Sequence, residues 1–376
     1  MTMDMNKYLK QLETLVNIDC GSNNHEGIRK VADYLIEWYR EIDWNIKIRD
    51  TDNDNYKVLE IFNHDDCHYD VMFIGHLDTV FPDGTASKRP FKIVDDICYG
   101  PGVDDMKNGV LAMLHLAENL DRDIFDKLNI CMCYNPDEEI GSRYSKKVLD
   151  EIGSKADRIF VMESSSDEGN GHVFNRKGKV NYVLDFEGIE AHAGYMFETK
   201  NASAISKMAE YVVELDKLKD KDRLTSVNVG VVSGGTTVNT VAKYASLEVE
   251  IRFKELSEKD RVVNRIESLI NDKNFNNEVK VSIRDYSYAP PWNQTKQGLD
   301  YIKHVEEIAE TMDLRFYEKP RGGLSDANHL SQVCPIVLDG MGPCGSFAHS
   351  EKECMYIKSV EPSIELLMRI LKDLAQ

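Results

Sequence analysis

The stretch Tyr69-Asp-Val-Met-Phe-Ile-Gly75 is apolar almost without interruption and runs straight into His76-Leu-Asp78. A half-buried strand alternates polar and apolar residues, whereas a run like this predicts a strand covered on both faces of a parallel sheet. Similar short runs recur at Leu128 to Tyr134, Arg158 to Met162 and Pro335 to Leu338. Between the first two, Lys107 to Leu120 has the spacing of an amphipathic helix. Upstream, Asn6 to Val16 and Glu26 to Tyr39 read as helices, and Trp44 to Ile48 and Tyr56 to Phe62 as strands. Strands separated by helices imply an α/β domain with a mostly parallel central sheet covered by helices.

The middle of the chain has a different rhythm. Strand (Val180 to Glu187), helix (Asn201 to Lys217) and strand (Ser226 to Val232) are followed by strand (Ser246 to Phe253), helix (Ser257 to Asn271) and strand (Glu278 to Tyr286). That β-α-β-β-α-β order predicts an inserted α+β ferredoxin-like domain with its own sheet. The expected division is therefore a discontinuous domain of residues 1–177 and 289–376, with an inserted domain at 178–288. Thr295 to Gln376 returns to helix-strand-helix and completes the first domain. No repeat or low-complexity segment interrupts this plan.

Composition narrows the function classes. A chain of 376 residues with 42% hydrophobic and 30% charged residues has the make-up of a globular enzyme. Its net charge of −19, from 65 acidic and 46 basic residues, argues against nucleic acid and anionic membrane as partners. An anionic substrate would then need a local cation. Eight cysteines are scattered, and Cys131-Met-Cys133 reads as strand alternation rather than a zinc knuckle, so reduced thiols are expected. Met1 to Gln11 is polar and no window approaches 18 apolar residues, so neither a signal peptide nor a membrane span is expected, and the location is read as cytoplasmic.

The chemistry lies just beyond the buried runs, where polar residues cluster at their ends. His76 and Asp78 come after the first, in GHLDTV; Glu138 and Glu139 come after the second, in NPDEEIGS; Glu163 directly succeeds Val161-Met162. His349 comes after the Ile336-Val337-Leu338 strand through the glycine-rich GMGPCGSFAHS, and Asp105 sits in GPGVDDMKNG before the Lys107 helix. Sites in open α/β sheets form at the carboxyl ends of strands. Singly, each residue has an ordinary explanation as a surface histidine, a cap or a solvated loop. Together, two imidazoles and three carboxylates suit two zinc-type ions held by His76, Asp105, Glu139, Glu163 and His349. Cobalt or manganese would suit the same donors. Asp105 is the expected bridge, because Gly100 and Gly102 let backbone crowd close, though Asp104 beside it offers a second carboxylate. Asp78 is placed to accept the second ring N–H of His76. In extended chain the adjacent Glu138 and Glu139 point opposite ways, which gives Glu139 to the metal and Glu138 to general acid/base work.

These segments, in this order, resemble the zinc-dependent family of glutamate carboxypeptidase (carboxypeptidase G type), acetylornithine deacetylase, succinyl-diaminopimelate desuccinylase, aminoacylase and peptidase T. The resemblance runs over essentially the whole chain and leans towards the glutamate carboxypeptidase branch. It implies one zinc on His76 and Glu163, the other on Glu139 and His349, with Asp105 between them and a cis peptide at Asp105-Met106. It also implies that the inserted domain serves as a lid and makes a homodimer. GIEAHAG would place His192 to steady the oxyanion from the partner subunit. GGTTVNTVA would place Asn239 as a substrate contact, and LEVEIRF would place Arg252 on the substrate's free carboxylate. RGGLSDANHL would add Gly323 and Ser325 as a second carboxylate contact. The family's proline shortly after the Asn239 position is missing at Ala242-Lys243.

The expectation is a metallopeptidase of carboxypeptidase type that cleaves an amide bond beside a free carboxylate in a small peptide or N-acyl amino acid. An N-acyl-amino-acid deacylase or a small-peptide aminopeptidase with the same metal centre is the alternative. A non-catalytic peptide-binding protein would need a broken ligand set, and this set is whole.

Overall fold

A computed structural model describes residues 3–65 and 67–376. Met1 and Thr2, part of the polar N-terminal stretch, and Asp66 lie outside the described residues. The chain forms two compact units, one of residues up to Asn175 together with Asn293–Gln376, the other Arg176–Trp292.

The first unit is an α/β layer. Its main sheet runs, in spatial order, Asn45–Asp50, Lys57–Phe62, Ile130–Asn135, Val71–His76, Ile159–Val161 and Val337–Asp339. Lys57–Phe62 is antiparallel to both of its neighbours, and the last four strands pair in parallel. Val71–His76 lies near the middle and all six of its residues are buried, as the unbroken apolar run requires.

The helix behind that strand departs from expectation. Asn108–Glu118 is not amphipathic in its surroundings, because every residue from Asn108 to Ala117 is buried. One side faces Val71–His76, while Met5–Val16, His25–Arg40 and Val360–Leu374 cover the rest. Gly109 allows the closest approach: a Cβ there would overlap the main-chain oxygen of Met162. The helix can therefore lie directly on the strand end that leads to Glu163.

A second, small antiparallel sheet was not foreseen. Its order is Gly345–Ser346, Cys354–Tyr356, Ile97–Tyr99 and Lys92–Val94. Its strands are two or three residues long, too short to leave a period in the sequence. It carries the loop that ends at Asp105 and the turn that holds His349.

The second unit has the strand order Ser226–Gly234, Tyr244–Phe253, Gly178–Glu187 and Lys280–Ala289, all antiparallel. Helices Ala204–Asp216 and Leu256–Asn271 pack on it through a core that includes Leu184, Tyr211, Leu247 and Ile266. This is the ferredoxin-like arrangement. The eight cysteines of the chain are free thiols. Among the described residues no helix is long and apolar enough to cross a membrane.

Gly109→Ala is expected to cost about 1–3 kcal/mol of stability, the usual penalty for overpacking a close contact. Thermal or denaturant unfolding of the variant checks this, and an unchanged midpoint would mean that the helix can shift.

Candidate metal centre

His76 is the last residue of Val71–His76, and its backbone pairs with Asn135 at the end of the neighbouring strand. Glu138 and Glu139 come after Asn135 by a gap of two residues. They stand on a single 3₁₀ turn, Glu138–Ile140, and not in extended chain. Two of the turn's N–H groups explain its shape: those of Glu138 and Glu139 donate to the two carboxylate oxygens of Asp78, at 3.1 and 3.2 Å. Glu163 leaves the end of Ile159–Val161.

Asp105 lies between two imidazoles. His76 Nε2 is 2.9 Å from its Oδ1, and His349 Nε2 is 3.0 Å from its Oδ2. Each of these Nε2 atoms has one further carboxylate: that of His76 lies 3.7 Å from Glu163 and that of His349 lies 3.3 Å from Glu139. Ligand atoms of His76, Asp105 and Glu139 lie within 4.8 Å of one another, and so do those of His76, Glu138 and Glu163. Asp104 turns away into a hydrogen bond with Ser164, next to Glu163. The Asp105-Met106 peptide is cis.

Asp78 acts on both sides of the cluster. The other ring nitrogen of His76 is 2.9 Å from the Asp78 carbonyl and 3.4 Å from its carboxylate. Ser22 donates to the same carboxylate at 2.6 Å. Glu353, which no sequence motif singled out, is buried beneath the Asp105 loop and accepts the N–H groups of Gly102, Asp104 and Asp105 at 2.9–3.0 Å. It stands four residues after His349, so one turn of the small sheet delivers an imidazole and a support for the opposite carboxylate. An acidic residue so close to a predicted ligand was the available signal.

The electrostatics result from burial of like charges. Burial pushes Glu138 well above the usual carboxylate range, opposed in part by His76. Burial would also raise Asp105, but hydrogen bonds to His349 and His76 hold it below its ordinary value. Hydrogen bonds to Asp105 and Glu139 push His349 up to about 11. The dense negative charge that holds these protons also favours a divalent cation, which would have to displace them to bind.

The donors themselves fit such ions. Imidazole nitrogen and carboxylate oxygen are ordinary zinc ligands. Among the described residues neither Asp105 nor Glu139 has a lysine or arginine ion partner, and Glu139 keeps a buried Oε1 with no hydrogen bond.

The other predicted residues fall elsewhere. In the second unit, His192 and Asn239 are brought together from distant segments: Ala191–His192 pairs with Thr240–Val241, and Ala193 N–H donates to the Asn239 carbonyl at 2.8 Å. His192 is exposed, and its Nδ1 accepts from Gly194 N–H. Arg252 belongs to the same unit, where its guanidinium forks onto Glu250 at 2.8 and 3.1 Å. In the first unit, Gly323 is exposed, whereas Ser325 is buried with its hydroxyl donating to Asp339 at 2.7 Å.

Beside the carboxyl edge of a mostly parallel sheet, two histidines and several carboxylates make a donor set suited to divalent metal ions. The chain belongs to the peptidase family M20/M25/M40, whose model matches residues 72–373. Members are metal-dependent hydrolytic enzymes, and this chain is one. It is 24% identical over 375 residues to carboxypeptidase G2 of Pseudomonas sp. (strain RS-16), covering 97% of this chain and 89% of that one. It is 25% identical over 366 residues to succinyl-diaminopimelate desuccinylase of Anaplasma marginale (strain Florida), covering 90% of each. A crystal structure of a tripeptidase from Staphylococcus aureus subsp. aureus Mu50 shares the fold with a TM-score of 0.84, at 22% identity over the whole of both chains. One is named a carboxypeptidase, one a desuccinylase and one a tripeptidase, so kinship alone leaves the bond that is cut open.

Glu353→Gln sets an amide against one of the three N–H groups that now meet a carboxylate. Metal affinity is expected to fall about 10–100-fold, as for other outer-shell partners. Competition with a chelating dye measures it, and unchanged affinity would mean that the Asp105 loop holds its shape without Glu353.

Proposed function

We propose that this enzyme binds two zinc ions and cleaves the amide bond next to a free carboxylate, releasing a C-terminal amino acid from a small peptide or N-acyl amino acid. The observation that carries the reading is Asp105, whose two oxygens each face a different imidazole, with Glu138 half-buried beside His76 and Glu163. His76 and Glu163 would hold one ion, His349 and Glu139 the other, and Asp105 both. When bound, such a pair acidifies water and polarises a carbonyl.

The chain's own residues supply the rest. Glu138 is the general base: its carboxylate takes the proton of the attacking water and later passes it to the leaving nitrogen. Asp78 holds His76 in one orientation and fixes the turn that aims Glu138. Arg252 grips the substrate carboxylate, for which a guanidinium fork is suited, and a ligand there shares that fork with Glu250. Gly323, through its backbone, and Ser325 are proposed as a second contact to the same carboxylate. His192 stabilises the developing oxyanion and Asn239 positions the substrate.

The layout of the second unit supports a homodimer. The arm bearing His192 and Asn239 is anchored at the Tyr244 end of Tyr244–Phe253, through Gly188 N–H to Lys243 and Gly235 N–H to Tyr244. Arg252 stands eight residues further along that strand, roughly 26 Å at about 3.3 Å per residue. A dipeptide spans only about 7 Å. The two sets of groups around one substrate are therefore best supplied by two lids, one from each subunit.

Glu138→Gln should retain metal yet lose about 10²–10⁴-fold in turnover, assayed on a panel of N-benzoyl amino acids and dipeptides with chelator-treated enzyme as the blank. Near-normal turnover would refute its role. Arg252→Ala should raise KM about tenfold or more for substrates with a free carboxylate, and far less for their amides, as expected when a charge-assisted contact is lost. Equal effects on acid and amide would reject the carboxylate grip.

A further inference from the structure

The loop that carries Glu138 and Glu139 begins at Asn135 and ends at Ser142, and both ends are tied to one distant carboxylate. Asn135 Nδ2 lies 2.9 and 2.8 Å from the two oxygens of Asp326, and Ser142 Oγ donates to Asp326 Oδ1 at 2.6 Å. Asn135 Nδ2 also reaches Ser142 Oγ at 2.8 Å, so the loop mouth is closed on itself and on Asp326. Asn135 Oδ1 accepts Asp137 N–H at 3.1 Å inside the loop and Ser145 Oγ–H at 2.8 Å just beyond it, and Ser142 N–H donates to the Asp137 carbonyl at 2.9 Å. Asn135, Asp137, Ser142, Ser145 and Asp326 are all buried.

Asp326 is itself held. His329 Nε2 lies 3.0 Å from Asp326 Oδ1, and His329 Nδ1 lies 2.9 Å from Asp150. The imidazole thus joins two carboxylates, and Asp326 reaches the loop across 184 residues of sequence. None of these side chains is among the proposed metal ligands. Asp326 is the immediate neighbour of Ser325, in the segment proposed to meet the substrate carboxylate.

We infer that Asp326, held by His329, is a positioning residue for the general base: it clamps both ends of the Glu138 loop and so sets where the Glu138 carboxylate lies relative to the scissile bond. This rests on the reading of Glu138 as the base. It also gives the Gly323–Ser325 segment a mechanical route to that base, because any shift of the segment moves the clamp.

The test is a double-mutant cycle on metal-loaded enzyme, with kcat and KM measured on the fastest-cleaved member of the panel of N-benzoyl amino acids and dipeptides. Asp326→Asn keeps the shape but sets an amide against the Asn135 amide. It is expected to lower kcat about 10²-fold, the scale of a misplacement near 1 Å, with KM within about threefold and metal content unchanged. In the Glu138→Gln background the same substitution should have almost no further effect, because there is no base left to misplace. If the two losses multiply, or if only the melting temperature falls while kcat holds, the positioning role is overturned. Should Asp326→Asn fail to fold, Ser142→Ala removes a single arm of the clamp. A drop in kcat of about tenfold, absent in the Glu138→Gln background, then supports the proposal, and an unaltered kcat overturns it. A fully active Glu138→Gln would defeat the functional reading itself, whatever Asp326 does.

Discussion

Asp105 has to face two imidazoles at once, and much of the surrounding architecture answers to that one demand. A carboxylate can do so only if its own backbone is fixed and both histidines arrive from opposite sides. Three N–H groups of the Asp105 loop end on Glu353, while Asp104 is drawn off to Ser164. His76 comes from the middle of the main sheet and His349 from the small one. Gly345, where a Cβ would overlap the Asp104 carboxylate, lets the two loops meet. Concentrating so many acids where little water reaches is costly unless cations or hydrogen bonds answer them.

How much of this could be read from the sequence depends on the physics behind each feature. The central strands declare themselves because burial on both faces forces unbroken apolar runs, and several candidate ligands stand out because they come soon after those runs. The ferredoxin-like order is legible because its strands and helices are long enough to show a period. The helix Asn108–Glu118 misled, since its polar positions face other helices rather than solvent, and only packing reveals which faces are covered. The small sheet left no trace because two- and three-residue strands have no periodicity. Glu353, Asp326 and Ser22 were invisible for a related reason. Their meaning comes from partners as far as 251 residues away, and no local pattern separates a buried acid under a loop from a solvated one.

The acidic balance of the chain takes on a sharper sense beside this site. A molecule with net charge −19 repels a carboxylate at long range, so recognition of an anionic substrate has to be local. Arg252 is half-buried and already bound to Glu250. Such a pairing keeps the guanidinium oriented and limits what can claim it. In the proposed role, a planar acid that takes both donors would compete far better than a neutral amide, so the contact that restrains the side chain would also filter its ligands.

The division of the first unit into two separated segments carries a consequence for biosynthesis. Val337–Asp339 closes one side of the main sheet by pairing with Ile159–Val161, whose residues are fully buried. On the ribosome, that partner emerges only after the entire inserted unit has been made. Until then the nascent polypeptide displays an apolar, unpaired strand edge, the kind of surface that recruits neighbouring chains. The inserted unit, with a core of its own, can mature during that interval, whereas the catalytic half must wait. Chaperone demand during synthesis should therefore track the time between translation of residue 161 and residue 339.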